Sequence, residues 1–164
     1  MERPNAPQAI GAGFIATVLT TLLPFGGPAL GLPPIDFAAT LGALVNGGQA
    51  ASPLSGAWWT GLTIHVVAGT LVFPLVYARG LFAILPGRPW TKGATFGLIL
   101  WLLSQVVRMP ALRLGFFGTN APRPFLGAIA ILIADLLYGI LLGWISGGGG
   151  TAERFAVGHA RRAA

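Results

Sequence analysis

Residues 125–146 read FLGAIAILIADLLYGILLGWIS, a run of 22 positions in which Asp135 is the single Asp, Glu, Lys or Arg. As a helix rising about 1.5 Å per residue, it is long enough to cross a hydrocarbon core of about 30 Å. A helix this apolar on every side is out of place on the surface of a soluble domain. Three further runs share its character, at roughly 8–30, 57–78 and 93–112. The chain of 164 residues is 54% hydrophobic and only 9% charged, whereas ordinary soluble domains carry roughly a quarter charged residues. The bilayer is therefore the expected solvent. The expected fold class is all-α, a four-transmembrane-helix bundle forming one membrane domain over 1–146, with a glycine linker and a basic cytoplasmic tail over 147–164.

Between the first two runs lies a segment too apolar for a free loop. Pro33 and Pro34 lead to Asp36, a helix N-cap type, then to the apolar stretch 37–45 and the stop signal Asn46-Gly47-Gly48. A helix over 36–46 is too short to span, so it is predicted to be interfacial or re-entrant, in the first outer loop. Prolines punctuate the spans: Pro24 is expected to bend or end the first, Pro74 to bend the second, and Pro110 to end the third. The segment from Arg79 to Thr91 reads as a short turn. The first run lacks a short small-residue cleavage site, which predicts an uncleaved helix rather than a signal peptide.

The net charge of +6 has no basic stripe interleaved with aromatics, which excludes a nucleic-acid partner. Its distribution is topological. With the N-terminus inside, Arg3, Arg79, Arg88, Lys92, Arg154, Arg161 and Arg162 face the cytoplasm, against Arg108, Arg113 and Arg123 outside. That bias predicts a bacterial inner-membrane protein with both termini cytoplasmic. Trp58, Trp59, Trp90 and Trp144 fall near the ends of the spans, where indoles anchor in headgroups.

Small residues recur on single helical faces. Gly61 and Gly69 flank His65 in the second span, Gly93 and Gly97 open the third, and Gly139 and Gly143 form a G-x-x-x-G pair in the fourth. Lipid tails give helices no hydrophobic drive to associate, so close approach through such residues supplies the packing contacts. The intramembrane polar groups cluster in the same half: His65 about 12 Å and Asp135 about 15 Å from the outer helix ends, with Gln105 and Arg108 about 6–11 Å deep. Asp36 is expected just above them. Arg108 and Asp135 are the first candidate ion pair, because an unpaired charge at depth is costly.

The catalytic inventory is short. No H-E-x-x-H, G-x-S-x-G or phosphate-binding G-x-x-x-x-G-K-[ST] pattern occurs, and the absence of cysteine removes thiol chemistry and disulfides. No second intramembrane histidine completes a bis-histidine haem site, so no cofactor, metal site or catalytic residue is expected. The leading expectation is a non-enzymatic small membrane component, an accessory subunit of a larger complex or a homo-oligomer. Its partners would then be the lipid bilayer and other membrane subunits or copies of itself. The alternative is a small transporter or channel with His65, Gln105, Arg108 and Asp135 as its polar path.

The stretch Gly61-Leu62-Thr63-Ile64-His65-Val66-Val67-Ala68-Gly69, closing with Tyr77-Ala78, resembles the second helix of an uncharacterised family of small bacterial four-helix integral membrane proteins. Leu32 to Gly42, Lys92-Gly93-Ala94 and Asp135-Leu136-Leu137-Tyr138-Gly139 are similar to other pieces of that family. The resemblance implies the four-helix topology and marks His65 and Asp36 as family features. It implies no activity.

Overall fold

The computed structural model describes residues 3–33 and 35–147; the tail expected over 147–164 lies outside the described residues, apart from Gly147. Five helices carry the fold: α1 (Ala6–Gly26), the short α2 (Phe37–Gly42), α3 (Gly56–Leu81), α4 (Pro89–Ala111) and α5 (Pro124–Gly147). All but α2 are long and apolar enough to cross a membrane. Large apolar side chains such as Phe14, Leu22, Leu102 and Val107 stand exposed along them, as lipid-facing residues do.

Local chemistry sets the boundaries, and several differ from the sequence expectation. The first helix starts at Ala6 because Asn5 and Gln8 form a capping box, the Asn5 side chain accepting from Gln8 N–H at 2.9 Å and the Gln8 side chain from Asn5 N–H at 3.2 Å. It does not stop at Pro24. The helix persists to Gly26 before tightening into a 3₁₀ turn, Gly27–Leu30, which Gly31 closes at φ +75°. The third long helix, α4, begins at Pro89 rather than Gly93. A proline at the first helical position loses no hydrogen bond and has the helical φ built in.

Asp36 caps α2 as its residue type predicts, its Oδ1 accepting from Ala39 N–H at 2.8 Å. The helix is shorter than 36–46, however, ending at Gly42, and the chain beyond turns through Gly47 and Gly48 at φ +65° and +87°, conformations that continue no right-handed helix. Instead of lying free in the interface, α2 packs onto the start of α3: a Cβ on Gly61 would meet the Ala38 carbonyl, and one on Gly42 the Ala57 carbonyl.

The helix α3 runs on through Pro74, and α4 ends one residue after Pro110, at Ala111. Pro74 sits between two π-helical segments, Ala68–Val72 and Tyr77–Leu81, and α3 runs three residues past the expected end at Ala78. Pro110 follows a third π segment, Ser104–Arg108, with α4 continuing to Ala111. A π turn adds a residue to the helical ladder and shifts its register, which accommodates the hydrogen bond a proline cannot donate.

In cross-section the long helices follow the order α3, α1, α5, α4. Gly13 of α1 meets Pro74 and the Gly69 carbonyl of α3, while Ala12 and Ala16 join Tyr138 and Leu142 of α5 in the core. The α4–α5 crossing is built on glycine: Gly93 lies against Gly139 and Gly143, and Gly97 against the Asp135 carbonyl. By contrast, α3 and α4 share no packed crossing and meet at one end through Tyr77 and Phe96, with ring centroids 5.3 Å apart. At that end Lys92 Nζ donates to the Phe82 carbonyl at 2.6 Å and lies 4.4 Å from the Phe82 ring centroid, so this basic residue is an internal clasp.

Candidate functional site

The unfilled space between α3 and α4, at the α2 end of the bundle, is a cavity of about 360 Å³. Phe37, Leu41 and Leu44 roof it, and Tyr138, Phe73 and Leu100 close it toward the opposite half. Leu103 and Val107 line it while standing 52% and 56% exposed, so its rim opens on the lipid-facing surface of α4. Most of the lining is apolar, with a few convergent polar groups, the usual make-up of a small-molecule site.

Three of the five polar residues singled out in the sequence, His65, Arg108 and Asp135, line this cavity from three different helices. His65 Nε2 is 2.9 Å from Thr21 Oγ1, and the Thr21 hydroxyl is 2.7 Å from the Thr17 carbonyl. A carbonyl only accepts, so Thr21 spends its one proton there and Nε2–H of the neutral imidazole donates to Oγ1, leaving Nδ1 with a free lone pair. Phe37 stacks on the imidazole at 4.9 Å and an interplanar angle of 4°. Arg108 and Asp135 share the cavity without forming the direct ion pair expected of them, and Arg108 Nε is buried with no hydrogen-bond partner.

The other two residues lie outside the cavity. Asp36 is exposed at the rim, occupied by the α2 cap and by Trp58 Nε1–H, which donates to Oδ2 at 3.0 Å. Gln105 is 1% exposed and faces away from the cavity lining, its Nε2 unpaired. The glycines expected to pack helices do stand at crossings: Gly61 against α2, Gly69 against Thr17 of α1, and Gly93, Gly97, Gly139 and Gly143 between α4 and α5.

Sequence reasoning missed Tyr138 and Ser104. Tyr138 lines the cavity and donates to the Gly69 carbonyl at 2.6 Å, joining α5 to α3 beneath the open space. Its place three residues after Asp135 puts it on the same helical face, which was the available signal. Ser104 lies four residues before Arg108, on the same face of α4, which was the available signal there too. Among the described residues, no group of three His, Asp or Glu side chains is placed to hold a metal ion.

Four helices long and apolar enough to cross a membrane, with a cavity that opens beside the exposed apolar side chains of α4, define the class of this molecule. The chain belongs to the Family of unknown function (DUF6789), whose model matches residues 4–156. Neither a curated protein nor a solved structure matches it.

Proposed function

We propose that this protein is a non-enzymatic component of the bacterial inner membrane that holds a small lipid-soluble ligand between α3 and α4, as an accessory subunit or a homo-oligomer. The observation that carries the proposal is the cavity of about 360 Å³, open toward lipid beside Leu103 and Val107 and lined by Arg108, whose buried Nε has no hydrogen-bond partner. Burying a charged donor with no partner costs free energy that a bound acceptor removes.

A conducting path is less well supported. Beyond Tyr138 the bundle is filled by Tyr77, Phe82, Phe96 and Leu142, each under 2% exposed, so the polar groups lead into a packed apolar core. The test is native mass spectrometry of the protein released from lipid nanodiscs. Wild type should carry a small non-covalent adduct, and the cavity-filling variant Ala68→Leu should lose it. Proteoliposomes carrying a proton current that His65→Gln abolishes would overturn the proposal in favour of transport.

A further inference from the structure

The four buried side-chain atoms left without a hydrogen-bond partner among the described residues are Thr70 Oγ1, Ser104 Oγ, Gln105 Nε2 and Arg108 Nε. All lie in two of the π segments, Ala68–Val72 and Ser104–Arg108, and both segments contribute to the cavity wall. π turns recur at functional sites because the inserted residue re-aims its neighbours. Of the residues that carry these atoms, Ser104 and Arg108 line the cavity.

Of the remaining polar wall, Asp135 and the His65 Nδ1 lone pair offer acceptors on α5 and α3, and the other hydrogens are committed. Thr17 and Thr20 donate to carbonyls of their own helix, Tyr138 to Gly69, and His65 to Thr21. Arg108 Nε can only donate, and Ser104 has a proton to give, so the α4 wall is complementary to an acceptor. The acceptor need not bring a charge. Arg108 and Asp135 already balance one another formally within the same cavity, and an anion would leave an excess negative charge in an apolar chamber.

Resting on the proposed ligand-holding role, we infer that the occupant is a neutral, carbonyl-bearing, lipid-soluble molecule of the quinone class. Its carbonyl oxygen accepts from Arg108 and Ser104, its ring lies between α3 and α4, and its apolar tail leaves past Leu103 and Val107 into the bilayer. No electron transfer is part of this inference; the site binds.

The test uses full-length protein in nanodiscs with three probes: decyl-ubiquinone, palmitate, and the phospholipid of the disc itself. Decyl-ubiquinone should give a retained adduct and raise the melting temperature. Arg108→Leu should weaken that binding by about tenfold to a hundredfold, the range for losing a charge-assisted hydrogen bond. Ser104→Ala, which leaves every charge in place, should weaken it by a smaller factor and so guards against misfolding of the arginine variant. Retention of palmitate in preference to the quinone would overturn the quinone assignment and keep the ligand-holding role. A phospholipid adduct that the quinone does not displace would do the same. Absence of any adduct, with wild type and Ala68→Leu behaving alike, would overturn both.

Discussion

Thr21 of α1 and His65 of α3 are joined by a single hydrogen bond of 2.9 Å whose direction is set by a third group, the Thr17 carbonyl that takes the Thr21 proton. It ties two long helices together at the edge of the cavity, and Phe37 lies flat over the same imidazole. Interhelical hydrogen bonds of this kind in membranes contribute about 0.6 kcal/mol on average and up to about 1.7 kcal/mol, and an aromatic pair about 0.5–1.5 kcal/mol more. His65→Leu should therefore lower stability by about 1–3 kcal/mol. His65→Gln, which can still donate to Thr21, should recover part of that loss. A cycle with Thr21→Val, read by urea or SDS unfolding, should show non-additivity, and strictly additive losses would show that the bond contributes nothing.

The glycines divide into two kinds that one substitution separates. A Cβ on Gly139 would run into the Gly93 carbonyl and lie 2.9 Å from Gly97 Cα, backbone atoms that cannot move aside without opening the α4–α5 crossing. On the same helix Gly127 has nothing within 4 Å of the corresponding position. Gly139→Ala should therefore be strongly destabilising. Gly127→Ala should be neutral or stabilising by up to about 1 kcal/mol, the helix-propensity difference. Melting temperatures of the two variants in one detergent decide the matter, and equal effects would contradict the crossing.

What the sequence made legible follows from which forces act locally. The four long helices and the Asp36 cap were readable because hydropathy and capping are properties of neighbours in the chain. The glycine stripes were readable because helical periodicity puts Gly61 with Gly69 and Gly139 with Gly143 on one face. His65, Arg108 and Asp135 could be placed at one depth by counting residues, and they do share a cavity. The π segments could not be read, since a proline argues for a bend or an end of its helix and says nothing of the hydrogen-bond register beside it. The expected Arg108–Asp135 ion pair rested on shared depth, but depth fixes neither azimuth nor the reach of a side chain.

Orientation rests on charge bias, and the fold supplies accessible positions to test it. Gln49, in the segment between α2 and α3, and Ala83, just past the end of α3, are both exposed and lie at opposite ends of the bundle. The chain contains no cysteine, so Gln49→Cys and Ala83→Cys each introduce a unique thiol. With Arg3, Arg79, Arg88 and Lys92 on the side of Ala83, intact cells should label Gln49→Cys with an impermeant maleimide and spare Ala83→Cys until they are permeabilised. The reverse pattern would invert the topology.

The charge balance of the cavity makes its selectivity open to design. Asp135 and Arg108 are the acidic and basic groups lining it, and no direct ion pair ties one to the other. Asp135→Asn keeps the shape of the side chain and removes the formal negative charge, leaving a net positive cavity. A cationic, poorly solvated cavity favours an anion over a neutral acceptor. The variant should thus gain affinity for palmitate by about tenfold or more, the scale of a charge-assisted hydrogen bond, while its affinity for decyl-ubiquinone changes less. Arg108→Leu in the same background should abolish the gain, because the guanidinium is its source. Competition between the two probes in nanodiscs measures the ratio directly. An unchanged ratio in Asp135→Asn would mean that Asp135 does not set the charge a ligand meets, and the argument for a neutral occupant would fall with it.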